Sequence, residues 1–219
     1  MGFRKRMIAA FLAGAMVIGS AFSGAAATTS PTTGQQTTKT AKYPYTDKNT
    51  RDHDVMQVVS TVTSKSAAKV TAVKAVKGKT TKGISLRVAR NSIGKTVPVT
   101  SVGNGKAGIF KSAKIVKVEI KSKKTVTINA NAFKGSKIKT VNITTKIKFK
   151  KNAFKGTKVK NPVITITAKK AKYVTAAKGA FTGLNKKAKI KVKGMNKTQF
   201  KALQKKLKKA GFKGKIVKA

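Results

Sequence analysis

The strongest constraint on the fold of this chain is a short phrase that recurs at intervals of just over twenty residues. Each copy is centred on a phenylalanine, and the four phenylalanines are Phe110, Phe133, Phe154 and, in a less regular copy, Phe181. They follow one another at steps of 23, 21 and 27 residues. A period of this length is the sequence signature of a repeat protein, in which each unit packs against its neighbours. The spacing therefore predicts a solenoid.

Apolar residues follow the phenylalanines in the order apolar-x-x-apolar-x-apolar. The copies are Ile115, Val118 and Ile120; Ile138, Val141 and Ile143; and a degraded third, Val159, Pro162 and Ile164. The last two positions of each copy alternate with polar residues, which is the period of a half-buried strand. We expect the alternating polar side chains to face water and to form a binding face, whose candidate residues are Lys117, Glu119, Thr140, Asn142 and Asn161.

No single repeat can bury this apolar surface alone, whereas stacked repeats cover one another. The four phenylalanines are accordingly predicted to be the structural core. The fold class that follows is a β-rich repeat solenoid, leucine-rich-repeat-like, with short strands stacked in parallel. A β-rich cap is expected at its N-terminal end and an α-helical cap at its C-terminal end.

The same residues carry a family resemblance. The run Asn131–Gly135, read as Asn-Ala-Phe-Lys-Gly and followed by apolar-x-x-Val-x-Ile, resembles the BspA-type (Treponema pallidum-type) leucine-rich repeat of bacterial surface proteins. Val97–Gly103 resembles the lead-in to the first repeat, and Gly183–Lys215 resembles the closing segment of lysine-rich members. The resemblance covers residues 84–219 and implies a surface location. It implies no catalytic residues, because the family shares none.

The chain before the repeats divides into three parts. Residues 1–27 read as a secretory signal peptide, with a basic start, an apolar run and a small-residue cleavage site before Thr28. A membrane anchor is the alternative, but the apolar run is short for a span. Residues 28–54 are polar and are predicted to be a disordered linker. His53 and its neighbouring aspartates are interpreted there as solvated linker residues, without the preorganised donors of a metal site.

Residues 55–95 alternate apolar and polar residues and are predicted to form the β-rich N-terminal cap. The repeats are assigned to residues 96–192 and the C-terminal cap to residues 193–219. That cap contains a predicted helix over residues 196–210, with Asn196 as its N-cap and Gly211 ending it. A final strand is expected at Ile216.

Charge sets the class of partner. The chain carries 51 Lys and Arg against 4 Asp and Glu, a net charge of +47, which falls to +44 once the predicted signal is removed. Lysines this numerous repel one another and attract polyanions. The expected partners are anionic polymers, either cell-wall or host glycans, or surface proteins. No specific nucleic acid and no membrane span are expected, and the oligomeric state stays open.

Enzymatic activity is not expected. The folded part has no cysteine, no histidine and one acid, Glu119, so paired carboxylates, a nucleophile with its base and a metal set are all missing. A Gly-x-Gly-x-x-Gly pattern at Gly103 lacks the helix and the acid of a dinucleotide site, so no cofactor is predicted. The predicted function is a secreted, non-catalytic protein of surface association or adhesion; the alternative is nonspecific binding of nucleic acid or other polyanions.

Overall fold

The computed structural model describes residues 40–51, 56–76 and 82–219. The predicted signal peptide and His53 lie outside the described residues. The described chain is β-rich, and its single α-helix is α1, Lys197–Lys209. The strands are β1 (Tyr45–Arg51), β2 (Met56–Ser64), β3 (Ala67–Ala75), β4 (Gly83–Leu86), β5 (Val88–Arg90), β6 (Thr96–Val102), β7 (Lys117–Ile120), β8 (Val126–Ile128), β9 (Thr140–Ile143), β10 (Ile147–Phe149), β11 (Val163–Thr167), β12 (Val174–Ala176), β13 (Lys189–Lys193) and β14 (Lys215–Lys218).

The first three strands form an antiparallel meander. β2 alternates buried and half-buried side chains, as its apolar-polar sequence predicts. β1 pairs with β2 along its whole length, from Tyr45 opposite Val62 to Arg51 opposite Met56. The prediction of a disordered linker is therefore wrong for Tyr45–Arg51. The strand is ordered by its backbone hydrogen bonds to β2, because its polar side chains offer no apolar face to bury. Asp47 is nevertheless buried, with 4% of its surface exposed.

From β6 to β13 the successive strands alternate between two sheets, and β14 pairs with β13 in the second. One sheet has the order β1-β2-β3-β6-β8-β10-β12, with β5 paired to β6, and the other has the order β14-β13-β11-β9-β7-β4. Every pairing among β6, β8, β10 and β12, and every pairing in the second sheet, is parallel. The predicted parallel stacking of short strands is confirmed. We call the chain between successive phenylalanines of the repeat one round.

The strands of the second sheet keep one register. Val118 of β7 lies opposite Ile84 of β4 on one side and Val141 of β9 on the other. Gly83–Leu86, which the sequence assigns to the N-terminal cap, thus pairs directly with the first repeat strand. Its alternation of half-buried and buried residues matches that of β7 and β9.

The third repeat departs from the predicted register by two residues. Ile164, not Pro162, lies opposite Val141, and Ile166 lies opposite Ile143. The round that starts at Phe154 contains two extra residues before its strand, and the sequence pattern hid them. Pro162 therefore does not interrupt β11, which starts at Val163. A proline has no N–H for a ladder, and here only its carbonyl is used, accepting a hydrogen bond of 3.1 Å from the Lys189 N–H.

Two apolar clusters lie inside the described chain. The larger runs through both sheets and includes the phenylalanines of the repeat. The smaller one contains Val62, Ala68, Ala89 and Val97, with Tyr43 packed against it. Because Val70 and Val73 of β3 belong to the larger cluster, the antiparallel strands share its core.

The helix α1 follows β13. Asn196 caps it as predicted, its side-chain oxygen accepting a 2.9 Å hydrogen bond from the Gln199 N–H. Gly211 follows with φ of +92°, the left-handed conformation expected just past a helix end. Leu203 and Leu207 are buried in the main core. The predicted final strand is present as β14.

Candidate functional site

The predicted phenylalanine core is confirmed. Phe110, Phe133, Phe154 and Phe181 each expose 2% or less of their surface. Their ring centroids follow one another at 5.3, 4.6 and 5.9 Å, with interplanar angles of 27°, 7° and 20°. Stacked rings contribute attraction beyond the area that they bury. The turns that carry these rings are therefore fixed relative to one another from inside the molecule.

Phe212 extends this column and was not predicted. Its ring meets that of Phe181 edge to face, with centroids 5.3 Å apart. The step of 31 residues includes α1, so it falls outside the period. A sequence signal did exist, since Phe212-Lys213-Gly214 repeats the Phe-Lys-Gly phrase found at Phe133 and Phe154.

Main-chain hydrogen bonds join the surface turns around the phenylalanines. The Gly135 N–H donates to the Gly156 carbonyl at 2.7 Å, and the Asn131 N–H donates to the Asn152 carbonyl at 2.9 Å. The Lys158 N–H donates to the Ser136 carbonyl at 3.2 Å. Equivalent residues of successive turns thus lie next to one another, at about the 4.8 Å that separates paired strands.

This stacking arranges lysines in two lines. A lysine stands one residue and four residues after each of the first three phenylalanines. We call the first line row one, which consists of Lys111, Lys134 and Lys155, and the second line row two, which consists of Lys114, Lys137 and Lys158. All six side chains are exposed. Sequence reasoning did not single them out among so many lysines, although the two fixed offsets were the signal.

A groove lies between Lys111 of row one and the three lysines of row two, and Lys134 and Lys155 do not line it. It has a volume of about 650 Å³ and is lined by Phe110, Lys111, Ser112, Lys114, Ile115, Val116, Gly135, Lys137 and Lys158. Phe110 and Ile115 are themselves buried, but Val116 exposes 40% of its surface. The groove therefore combines four cationic side chains with an accessible apolar contact, and none of its lining residues is acidic.

Four of the five residues of the predicted binding face share one surface of the second sheet. Lys117 lies opposite Thr140, and Glu119 lies opposite Asn142. All four are exposed or half-buried. The face continues across β11 and β13, and the added residues are Val163, Thr165, Lys189 and Lys191.

Asn161 does not belong to this face. It is exposed, but it precedes β11 by two residues, in the short segment that contains the two extra residues of the third round. The assignment followed from the register that placed Pro162 opposite Val141, and the correction of that register removes it. Asn161 was expected opposite Thr140, and Val163 takes that position; Thr165 lies opposite Asn142.

Negative charge is scarce around these surfaces. Of the four acidic residues in the chain, the structure describes Asp47 and Glu119. Asp47 is buried, and its carboxylate accepts a 2.8 Å hydrogen bond from the Arg90 N–H, in the N-terminal part of the chain. Glu119 is half-buried on the second sheet. Neither lines the groove, so the positive charge of the two rows is not compensated there.

Among residues 40–51, 56–76 and 82–219, no group of three or more His, Cys, Asp or Glu side chains comes close enough to hold a metal ion. Within the same residues, no helix has both the length and the apolar character needed to cross a membrane. No protein-family model, curated protein or solved structure matches this chain.

Proposed function

We propose that this protein is an exported, non-catalytic binding protein that associates with a bacterial surface through anionic polymers. In this proposal the parallel strands form a leucine-rich-repeat-like solenoid, and the chain is a lysine-rich member of the BspA-type surface proteins that its repeat phrase resembles. The observation that carries the binding function is the pair of stacked lysine rows. All six lysines are exposed, and four of them line a groove that has no acidic lining residue.

Electrostatics favours a diffuse polyanion over a small, shaped ligand. Lysine is a compact, strongly hydrated point charge, whereas arginine offers the planar fork that binds carboxylate or phosphate in a bidentate manner. Both rows are composed of lysine alone. A polymer that meets many such charges gains affinity by releasing counterions, and this gain weakens as salt is added.

The scarcity of described acids supports the same partner. Lysines in neighbouring rounds lie about one strand spacing apart and repel one another, because almost no carboxylate stands between them. An anionic polymer lying along the rows relieves this repulsion. Binding and stabilisation of the fold are therefore coupled in the proposal, and the protein should melt at a higher temperature when the polymer is present.

The test is retention of the purified protein on anionic cell-wall polymer across a salt series. We expect tight retention at low salt and release by about 0.5 M, where the Debye length is only about 4 Å. Retention that does not respond to salt would instead indicate a specific partner on the face that contains Lys117 and Asn142. Failure to bind even at low salt would refute polyanion binding and leave the lysines as a solubility device.

Export needs its own test, which is N-terminal sequencing of protein recovered outside the producing cell. We expect the exported form to begin near Thr28, after the small-residue site. Recovery of an intact Met1 on exported protein would contradict the signal-peptide prediction, without bearing on polymer binding.

A further inference from the structure

The groove beside row two has a direction as well as a charge. The rows run from round to round, along the axis on which the turns stack, because main-chain hydrogen bonds from Gly135 to Gly156 and from Asn131 to Asn152 place equivalent residues side by side. The main-chain positions of each row therefore repeat at about 4.8 Å, and their side chains carry a line of positive charge along this axis. A ligand that matches both rows is a linear chain lying along this axis.

Two glycines give row one its geometry. Gly135 and Gly156 both have φ of +71°. A Cβ atom on Gly135 would lie 3.2 Å from Lys111 Cγ, and one on Gly156 would lie 3.0 Å from Lys134 Cγ. The missing side chains make room for the lysine stem of the preceding round. These stems are therefore held against the next turn, which reduces the entropy that they lose when their ammonium groups bind a ligand.

Row two contains a strained residue. Lys114 has φ of +50°, in the left-handed region that lysine rarely adopts. The other non-glycine residues with positive φ in the described chain are Asn131 and Asn152, and asparagine tolerates this conformation. Strain retained at a surface position is a reason to look for a function there. Lys114 lines the groove, and glycine at this position would remove the strain together with the ammonium group.

The residues at the floor of the groove restrict the class of ligand that it can bind. Val116 is accessible, whereas Phe110 exposes only 2% of its surface and offers no ring face for stacking. A nucleic-acid strand would gain little here, since sequence-tolerant binding of single strands depends on exposed aromatic side chains. The C–H faces of sugar rings suit an aliphatic floor, and an extended sugar chain advances by roughly one strand spacing per ring.

We propose that the groove along row two, which Lys111 of row one closes on its other side, binds a linear acidic polysaccharide with one carboxylate per sugar, oriented along the stacking axis. This inference rests on the proposed polyanion-binding function and assigns it a site and a ligand class. Each carboxylate lies near the lysine that one round contributes to row two, and the sugar rings contact Val116. The interactions are salt-dependent ion pairs with the lysines and apolar contacts with Val116, and no covalent step is involved.

The experiment titrates the purified protein with polyuronate oligomers, from a disaccharide to an octasaccharide, and follows binding by calorimetry. Affinity should rise with length until the oligomer spans the three rounds of the rows and then level off. The groove variant combines Lys111→Gln, Lys114→Gln, Lys137→Gln and Lys158→Gln. The matched control removes four exposed lysines elsewhere, by Lys148→Gln, Lys150→Gln, Lys201→Gln and Lys205→Gln. We expect a loss of at least ~10-fold in the groove variant and less than ~3-fold in the control.

Two further variants separate the parts of the groove. Lys114→Gly should weaken binding while leaving the melting temperature unchanged or higher, which a merely structural role for Lys114 would not produce. Val116→Thr keeps the shape and the charge of the groove, and it should weaken binding to polyuronate without changing the salt dependence. Polyuronate with its carboxylates methyl-esterified is the ligand control, and it should not bind.

Each alternative outcome overturns a defined part of the inference. Equal losses in the groove variant and its control would show that net charge, not the groove, binds the polymer; polyanion binding itself would stand. Groove-dependent binding of polyphosphate or single-stranded DNA as tight as that of polyuronate would refute the sugar assignment. Binding of the esterified polymer would refute the role of the carboxylates. If no anionic polymer bound at all, the proposed function would fail together with the site.

Discussion

The antiparallel meander β1–β3 and the parallel strands from β6 onward are built on different principles. In the parallel part, each round repeats the contacts of the one before it, with rings stacked on rings and turns hydrogen-bonded to turns. In the meander, contacts occur once, such as the buried Asp47 that accepts a hydrogen bond from the Arg90 N–H. Contacts that repeat leave a periodic pattern in the sequence and can be predicted from it. A contact that occurs once leaves no such pattern and is found only in the structure.

The two parts nevertheless share a core. β3 pairs in parallel with β6, and the Val73 N–H donates to the Ile109 carbonyl at 2.8 Å, next to the first phenylalanine of the column. We therefore expect the described chain to unfold in one transition. The position of β3 beside the first round is the one that a cap of a repeat protein would take, and the capping role itself stays a prediction.

The largest expected effect is the loss of a ring from the middle of the column. Phe133→Ala removes a buried side chain that stacks on Phe110 and on Phe154, and it should cost about 3–5 kcal/mol of unfolding free energy in urea titration. Phe110→Ala serves as the comparison, because that ring stacks on one phenylalanine of the column and should cost less. Equal costs would show that the stack contributes nothing beyond burial.

A smaller effect tests the single contacts of the meander. Asp47→Ala leaves the Arg90 N–H without its 2.8 Å acceptor and should cost about 2 kcal/mol. Asp47→Asn keeps an acceptor oxygen and should cost less. Circular dichroism during thermal unfolding is the measurement. A second transition in the Ala variant would mean that the meander melts separately, which would contradict the shared core.

The smallest effect concerns the backbone of one repeat turn. Asn131 has φ of +57°, and its side-chain amide donates to the Gly105 carbonyl at 3.1 Å. Asn131→Ala should cost about 1 kcal/mol, because alanine tolerates the left-handed region poorly and the hydrogen bond is lost. Asn131→Gly keeps the conformation accessible and should cost less in the same urea titration. Both variants lose the hydrogen bond, so their difference reports the backbone alone. If glycine were the worse variant, its larger loss of backbone entropy on folding would outweigh the relief of the left-handed conformation.

The sequence predicts the part of the fold that repeats. The contacts behind the phenylalanine steps and behind the alternation around Val118 and Val141 recur in each round. The same pattern therefore appears several times, and one irregular copy does not hide it. The third round shows the limit, since Val159, Pro162 and Ile164 satisfy the expected spacing while the strand lies two residues later. An insertion in one round has no second copy to reveal it.

The strand β1 and the lysine rows could not be predicted from the repeat pattern. Tyr45–Arg51 has a polar sequence and becomes a strand through backbone pairing with β2, which leaves no apolar alternation to read. The candidate site was only partly predictable. The face around Lys117 and Asn142 follows from alternation, but the lysine rows depend on how turns from different rounds stack. Lysine is so frequent in this chain that its offsets from Phe133 and Phe154 do not stand out.

The stacking of like turns also makes the length of this molecule an adjustable quantity. Residues 133–153 contain one phenylalanine of the column and one lysine of each row. A duplication of this segment presents the same surfaces to its neighbours that the original segment presents, since repeat units contact mainly the units beside them. Gene duplication within the segment thus lengthens both rows by one cation each. If the proposed polymer binding holds, it also raises the avidity for a long polymer without requiring a new surface.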